Sequence, residues 1–143
     1  MADKEVVRHL LELYVYDFTE FTGEDVDERG LFGYRHLDDY WSEPDRHPFL
    51  IHTDRHLAGV ALVRSGDPHD MAEFFVMRKY RGRGVGMIAA RSLFAKFPGE
   101  WQVRQLHANA AATAFWRNAI PVPFRDDAND KGPIQRFDIR RNG

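Results

Sequence analysis

Residues 71–87 read MAEFFVMRKYRGRGVGM, and the way this stretch changes character decides the fold. Met71 to Met77 (MAEFFVM) is apolar and aromatic, as strands are. From Met87 to Phe97 (MIAARSLFAKF) the apolar residues fall at helical spacing and stop at Pro98-Gly99. Between them lie four basic side chains, Arg78, Lys79, Arg81 and Arg83, with glycine at 82, 84 and 86. Each glycine costs roughly 0.5–1 kcal/mol against alanine inside a regular element. Three in alternation therefore mark a backbone path that other residues resist. The unit is strand, glycine loop, helix.

A helix starts with unpaired N–H groups and the positive end of its dipole, and a glycine-lined entry lets phosphate oxygens approach those donors. Arg81 and Arg83 add charge and forked donors suited to phosphate. A basic turn that uses its glycines only to bend is the plainer alternative. Other glycine loops fit less well. A P-loop needs GxxxxGK followed by Ser or Thr, and the chain has no Lys-Ser or Lys-Thr pair. A dinucleotide fingerprint is GxGxxG with an acid about 20 positions on; here the third glycine comes one residue early, and the nearest acid, Glu100, opens the next strand. Arginine-glycine RNA-binding segments are repetitive, and this one is not.

Outward from that unit, Val6, Val7, Leu10, Leu11, Leu13, Tyr14 and Phe18 predict an amphipathic helix from Asp3, its cap, to about Phe21. The acidic, glycine-punctuated stretch that follows, to Trp41, reads as a covering loop or short helical turns. PFLIHTD (48–54) and HLAGVALVR (56–64) form a hairpin through Asp54-Arg55. After the central unit come a strand over 101–107, a short helix over 110–118 and a strand over 134–140. That order gives an α+β or α/β sandwich around one mixed sheet.

With 143 residues the chain is read as a single domain spanning 1–143. Its 20 basic and 22 acidic residues leave a net charge of -2, so no global field recruits nucleic acid or membrane. There is no cysteine, hence no disulfide or thiolate chemistry. No leader pattern or long apolar run is present, and a cytoplasmic protein is expected. His52 and His56 flank the hairpin turn, but a zinc site needs three or four ligands, and no metal is expected.

The motif R81-G82-R83-G84-V85-G86 resembles the Arg/Gln-x-x-Gly-x-Gly/Ala motif of the GNAT superfamily of acyl-CoA-dependent N-acyltransferases. Beginning 23 residues after Gly86, N109-A-A-A-T-A-F-W116 is similar to the family's Asn-x-x-Ala-x-x-x-Tyr pattern, with Trp116 where tyrosine usually stands. The resemblance covers roughly residues 3–120. It implies an α+β fold with a mostly antiparallel twisted sheet flanked by helices, and acetyl-CoA as co-substrate. It also implies that main-chain groups near Phe74, Phe75 and Val76 bond the pantetheine arm and thioester, and that the amides of Arg81, Gly82, Arg83, Gly84, Val85 and Gly86 hold the pyrophosphate. Asn109 would touch the pantetheine arm and Phe115-Trp116 the thiol end. The family's opening strand is missing before the first helix: either the sheet lacks its first edge or the chain starts late. An unpaired edge is a reason to expect a homodimer.

The implied reaction is acetyl transfer to a primary amine of a small molecule; an acyl-CoA-binding domain with little turnover, or a protein N-acetyltransferase, is the alternative. A lysine-like amine with a pKa of about 10.4 is protonated at neutral pH, so a base is needed. Glu73 is the acid within the strand, although the polyamine acetyltransferases that FFVMxxYRGxG also resembles carry theirs at the position of Ala72, which faces the other way in a regular strand. His107 is a second candidate base. The Val76 main chain would stabilise the oxyanion. Trp116 cannot titrate as a general acid, which leaves Tyr34 or Tyr80, or a thiolate with a cysteine-like pKa of about 8.5 that departs unaided. Glu24, Asp25, Asp27 and Glu28 could attract a cationic amine, with Phe32, Tyr34 and Trp41 as walls.

Overall fold

The computed structural model describes residues 2–140. In chain order they form α1 (Lys4–Thr22), α2 (Asp39–Ser42), β1 (Arg46–Thr53), β2 (His56–Arg64), β3 (His69–Val76), a short 3-10 turn (Arg78–Tyr80), α3 (Val85–Lys96), β4 (Gly99–Arg104), α4 (Ala110–Ala119), β5 (Arg125–Ala128) and β6 (Pro133–Ile139). The strands make one six-stranded open sheet in the order β1-β2-β3-β4-β6-β5. Every pairing is antiparallel except β3 with β4, which α3 connects as a crossover. This is the mixed, mostly antiparallel sheet flanked by helices that the sequence implies.

Helix α1 starts where expected. The Asp3 carboxylate accepts from Glu5 N at 3.0 Å and Val6 N at 3.2 Å, satisfying two donors that the first turn leaves open. The buried side of α1, Val7, Leu10 and Leu11, packs on Val60, Leu62 and Phe75, each apolar side chain contributing about 1.5–3 kcal/mol. The opposite face of the sheet is covered by α3 and α4, with Phe94, Trp101, Val103, Trp116 and Phe137 at its centre. The hairpin between β1 and β2 turns on Asp54 (φ 48°) and Arg55 (φ 67°), two successive left-handed residues as a two-residue hairpin requires.

Several boundaries differ from the sequence reading, and one strand is new to it. Helix α3 begins at Val85 rather than Met87, because Gly84 in the left-handed conformation (φ 79°) lets the chain enter the helix early. Strand β4 ends at Arg104, although its edge contacts continue through Gln105 N to Pro133 O at 3.0 Å and His107 N to Lys131 O at 3.0 Å. Strand β5 has no counterpart in the sequence reading: RDDA is exposed at all four positions, has no apolar alternation, and exists only as a partner to β6.

Two irregularities of β3 shape the site. Leu62 lies opposite Glu73 and Val63 opposite Met71, so Ala72 is an extra residue, a bulge. It resets the alternation, leaving Met71 and Phe74 in the α3/α4 core while Phe75 packs toward α1 and Glu73 meets Tyr34. The second irregularity is that β3 and β4 pair only at His69–Trp101 and Asp70–Gln102. At that root the 3 % exposed Asp70 accepts from Arg104 Nε at 3.2 Å and Nη2 at 2.7 Å, and from Gln102 Nε2 at 3.4 Å. Beyond Asp70 the two strands part.

Candidate functional site

The parting of β3 from β4 leaves backbone without a strand partner. Gly59 lies opposite Val76, and Met77 N donates to Ala58 O at 2.7 Å. That makes Gly59–Val76 a non-hydrogen-bonded pair of the antiparallel ladder. The Val76 amide therefore turns away from β2, into the gap. Phe74, two residues earlier and opposite Ala61, is turned the same way. Gly59 permits this close approach: a β-carbon there would stand 2.0 Å from the Phe75 carbonyl oxygen.

The gap opens into a cavity of about 1310 Å³, walled by β3, the end of β4, the starts of α3 and α4, the second half of α1, and the loop after it. At its rim the glycine loop shows why it needs its glycines. Gly82 (φ 74°) and Gly84 (φ 79°) are left-handed, and a β-carbon on either would meet no atom within 4 Å. Gly86 has ordinary dihedrals, but its β-carbon would lie 3.0 Å from Cε1 of Phe115. Two glycines serve backbone conformation and the third makes room for a ring. The loop delivers the start of α3 with no side-chain cap and no acid in its first turn, whereas Asp3 caps α1 and Asn109 Oδ1 caps α4 through Ala112 N at 3.1 Å. Uncapped amides in open, glycine-lined space suit an anion such as a pyrophosphate.

Arg81 departs from expectation. Its guanidinium is not free to face the loop: Nε donates to Val76 O at 2.8 Å and Nη2 to Asp17 Oδ2 at 2.8 Å, and it lies 5.7 Å from the Phe75 ring centre. Asp17 also accepts from Arg78, at 2.9 and 2.6 Å. Partial burial pushes the Asp17 carboxyl up, but the hydrogen bonds and charges of Arg81 and Arg78 outweigh it and hold the group below its ordinary value. A sequence-distant acid on α1 thus ties the helix to the glycine loop. Arg83 is exposed, and it and Val85 lie off the cavity lining; Val85 packs with Ile51, Ala58 and Tyr80.

Glu73 stands in the cavity wall on the α1 side. Tyr34 Oη donates to its Oε1 at 3.4 Å, and Tyr14 of α1 is its other phenolic neighbour. Burial raises the Glu73 pKa; the two tyrosines and Arg104 oppose that shift without cancelling it. Burial, then the Glu73 charge, raises both tyrosines as well, so their hydroxyls stay protonated. Tyr34 is delivered by a clamp absent from the sequence reading: the two carboxylate oxygens of Glu12 accept from Phe32 N and Gly33 N, each at 2.7 Å.

Trp116 and Phe115 close the other side. Trp116, 6 % exposed, meets Phe74 edge-on at 5.0 Å, and Phe115 stacks on Phe74 at 5.7 Å. Among the described residues the Trp116 indole N–H has no partner, whereas Trp41 and Trp101 each donate to a main-chain carbonyl. Several candidates fall outside the cavity. His107 is exposed and off its lining; Tyr80 is buried among Ile51 and Ala58; Asp25, Asp27, Glu28 and Trp41 do not line it. Asp27 instead closes its own loop, accepting from Arg29 N at 2.8 Å and Leu31 N at 3.1 Å.

Residues 7–119 match the acetyltransferase (GNAT) family, and the chain belongs to it. No curated protein sequence matches the chain. Among solved structures, it is similar to an acetyltransferase from Thermus thermophilus (16 % identity, 95 % of this chain and 91 % of that one, TM-score 0.72). It is also similar to a paia N-acetyltransferase from Thermoplasma acidophilum in complex with coenzyme A (12 %, 94 % and 89 %, 0.62). A third is the ribosomal-protein-S18-alanine N-acetyltransferase from Escherichia coli (16 %, 78 % and 81 %, 0.59). At these identities the likeness is one of fold.

Proposed function

We propose that this protein is an acetyl-CoA-dependent N-acetyltransferase acting on the primary amine of a small molecule. One observation carries the reading: inward-turned amides, an uncapped helix start and a half-buried carboxylate surround a single cavity at the gap between β3 and β4. In this reading the main chain of Phe74 and Val76 lines the pantetheine and thioester, while that of Phe75 faces Val60 of β2. The amides from Gly82 through Arg83, Gly84 and Val85 to Gly86 hold the pyrophosphate, with Asn109 and Trp116 along the arm; the Arg81 amide is already given to Arg78 O at 3.2 Å. Acetyl-CoA supplies an activated acyl thioester. Over the whole reaction a C–N bond replaces the C–S bond, the amine gives up one proton and the departing thiolate gains one.

Glu73 is the group placed to take the amine's proton, directly or through one water; such a base is worth about 10²–10⁴ in rate. Its raised pKa, caused by burial, makes it a better acceptor than an exposed carboxylate. The Val76 amide is placed for the developing oxyanion, and one such donor contributes about 2.7–4 kcal/mol. Tyr34 holds Glu73 in place through its hydroxyl. Arg81 acts through its grip on the Val76 carbonyl and on Asp17 rather than as a phosphate ligand.

A second reading, acyl-CoA binding with little turnover, is favoured by Trp116, whose indole cannot protonate a leaving thiolate. The two separate in one assay: acetyl-CoA with a panel of primary amines, products read by mass. Acetylated amine is expected, with Glu73→Gln lowering kcat about 10²-fold or more. Unchanged kcat in Glu73→Gln would refute the base assignment, and acetyl-CoA binding without any product would select the second reading.

A further inference from the structure

Helix α1 carries one apolar stripe along its whole length: Val7, Leu10, Leu11, Tyr14, Phe18 and Phe21. Its first half packs on the sheet, where Val7, Leu10 and Leu11 are buried on β2 and β3. Past Tyr14 the stripe outruns that cover. Phe18 and Phe21 are half-buried, pack on none of the three core clusters among the described residues, and line the cavity instead. They follow Tyr14 at helical spacing, with ring centres 5.5 Å from Tyr14 to Phe18 and 5.6 Å from Phe18 to Phe21. Phe32, also half-buried and outside the clusters, lines the same cavity because Glu12 clamps its amide. Three aromatic rings that a fold of this size would ordinarily bury in its core are left facing the cavity.

The charges around these rings are largely committed. Asp17 is held by Arg78 and Arg81, Glu12 by two loop amides, and Asp27 by its own turn. Glu20 and Glu24 line the cavity but are exposed, where screening leaves a charge little pull. The half-buried acid that remains in the wall is Glu73, beside Tyr14, where the row of rings begins.

Building on the acetyl-CoA reading above, we infer that the acceptor is a primary amine borne on an aromatic or bulky apolar group, an arylalkyl monoamine rather than a diamine or polyamine. Its nitrogen lies at Glu73 and its apolar group against Phe18, Phe21 and Phe32. A second cation at the far end of the acceptor would instead be placed among rings, with only the exposed Glu20 and Glu24 to pair with it.

The test uses three amines, 2-phenylethylamine, 1,4-diaminobutane and ethylamine, after calorimetry of acetyl-CoA with the unaltered protein. The expected kcat/KM for 2-phenylethylamine exceeds that for the diamine at least about tenfold, in line with the worth of a few apolar contacts. Phe18→Ala and Phe32→Ala, both outside the core, are expected to lower it about tenfold each. Acetyl-CoA affinity should stay within about twofold, and ethylamine, which carries no apolar group to meet the rings, should lose clearly less than 2-phenylethylamine. Preference for the diamine, or equal losses on ethylamine, would overturn the inference. Acetyl-CoA binding with none of the three amines acetylated would overturn it while sparing the acyl-CoA reading; no binding of acetyl-CoA would overturn both.

Discussion

Replacing Gly84 by alanine tests the reading of the glycine loop through strain alone. At φ 79° an L-residue sets its β-carbon against its own carbonyl, at a cost of about 1–2 kcal/mol. The smaller entropy of the unfolded alanine chain offsets about 0.4–1 kcal/mol of that. No neighbour lies within 4 Å of the added carbon, so crowding contributes nothing. At mid-range the net loss is about 0.8 kcal/mol, which for a chain of this length lowers Tm by about 2–4 °C. Gly86→Ala acts by a different route: alanine gains about 0.5–1 kcal/mol of helix preference inside α3, and against that its β-carbon meets Phe115 at 3.0 Å. Thermal melts by circular dichroism on a double-mutant cycle separate the two. Trimming Phe115 to leucine should relieve Gly86→Ala and leave the Gly84→Ala loss intact. A Gly84→Ala protein as stable as the parent, or one equally relieved by Phe115→Leu, would refute the division of labour among the glycines.

Other outcomes follow from single contacts. Glu73 has its folded pKa raised, so its favourable contribution is present below the ordinary carboxylate pKa of about 4.3 and is lost as pH rises through the folded value; Glu73→Gln should therefore be the more stable protein in urea at pH 8, with the advantage shrinking toward pH 4. Asp17 has the opposite sign: its pKa is lowered, so Asp17→Asn should cost stability at pH 7 and converge with the parent as pH falls through the Asp17 folded value, read in the same titrations. Gly59→Ala places a carbon 2.0 Å from the Phe75 carbonyl and should either prevent folding or displace β3, visible as lost near-ultraviolet dichroism of the aromatic cluster. Glu12→Ala removes two charge-assisted hydrogen bonds, each worth about 1.5–3 kcal/mol at most, and should speed amide exchange at Phe32 and Gly33 without unfolding the sheet.

Much of this architecture is legible from the chain because local chemistry and tertiary structure agree. Asp3 before an apolar stripe specifies α1, and MAEFFVM running into alternating glycines specifies the strand, loop and helix that form the site. What is not legible depends on contacts between distant residues. The bulge at Ala72 turns Glu73 toward Tyr34, reversing the objection that alternation raises against it, and nothing local in MAEF announces a bulge. Arg81 looks like a phosphate ligand until Asp17, 64 positions away, claims its fork. The acidic residues of the loop after α1 suggest a cation trap, but Asp27 serves its own turn. The clamp from Glu12 has no sequence signature, since an exposed-looking glutamate on a helix is indistinguishable from any solvated one. Strand β5 is invisible for a simpler reason: four exposed residues carry no burial pattern to read.

The central claim is that the gap under the uncapped start of α3 is an acyl-CoA site. Calorimetric titration of acetyl-CoA into the protein and into Gly84→Glu tests it most directly, because the substitution places a side chain and a negative charge at the rim where the pyrophosphate is proposed to lie. The account predicts one equivalent bound by the parent and binding weakened at least about tenfold in the variant, the cost of a like charge at an anion site. No heat of binding with the parent, or equal affinity in both proteins, would contradict it.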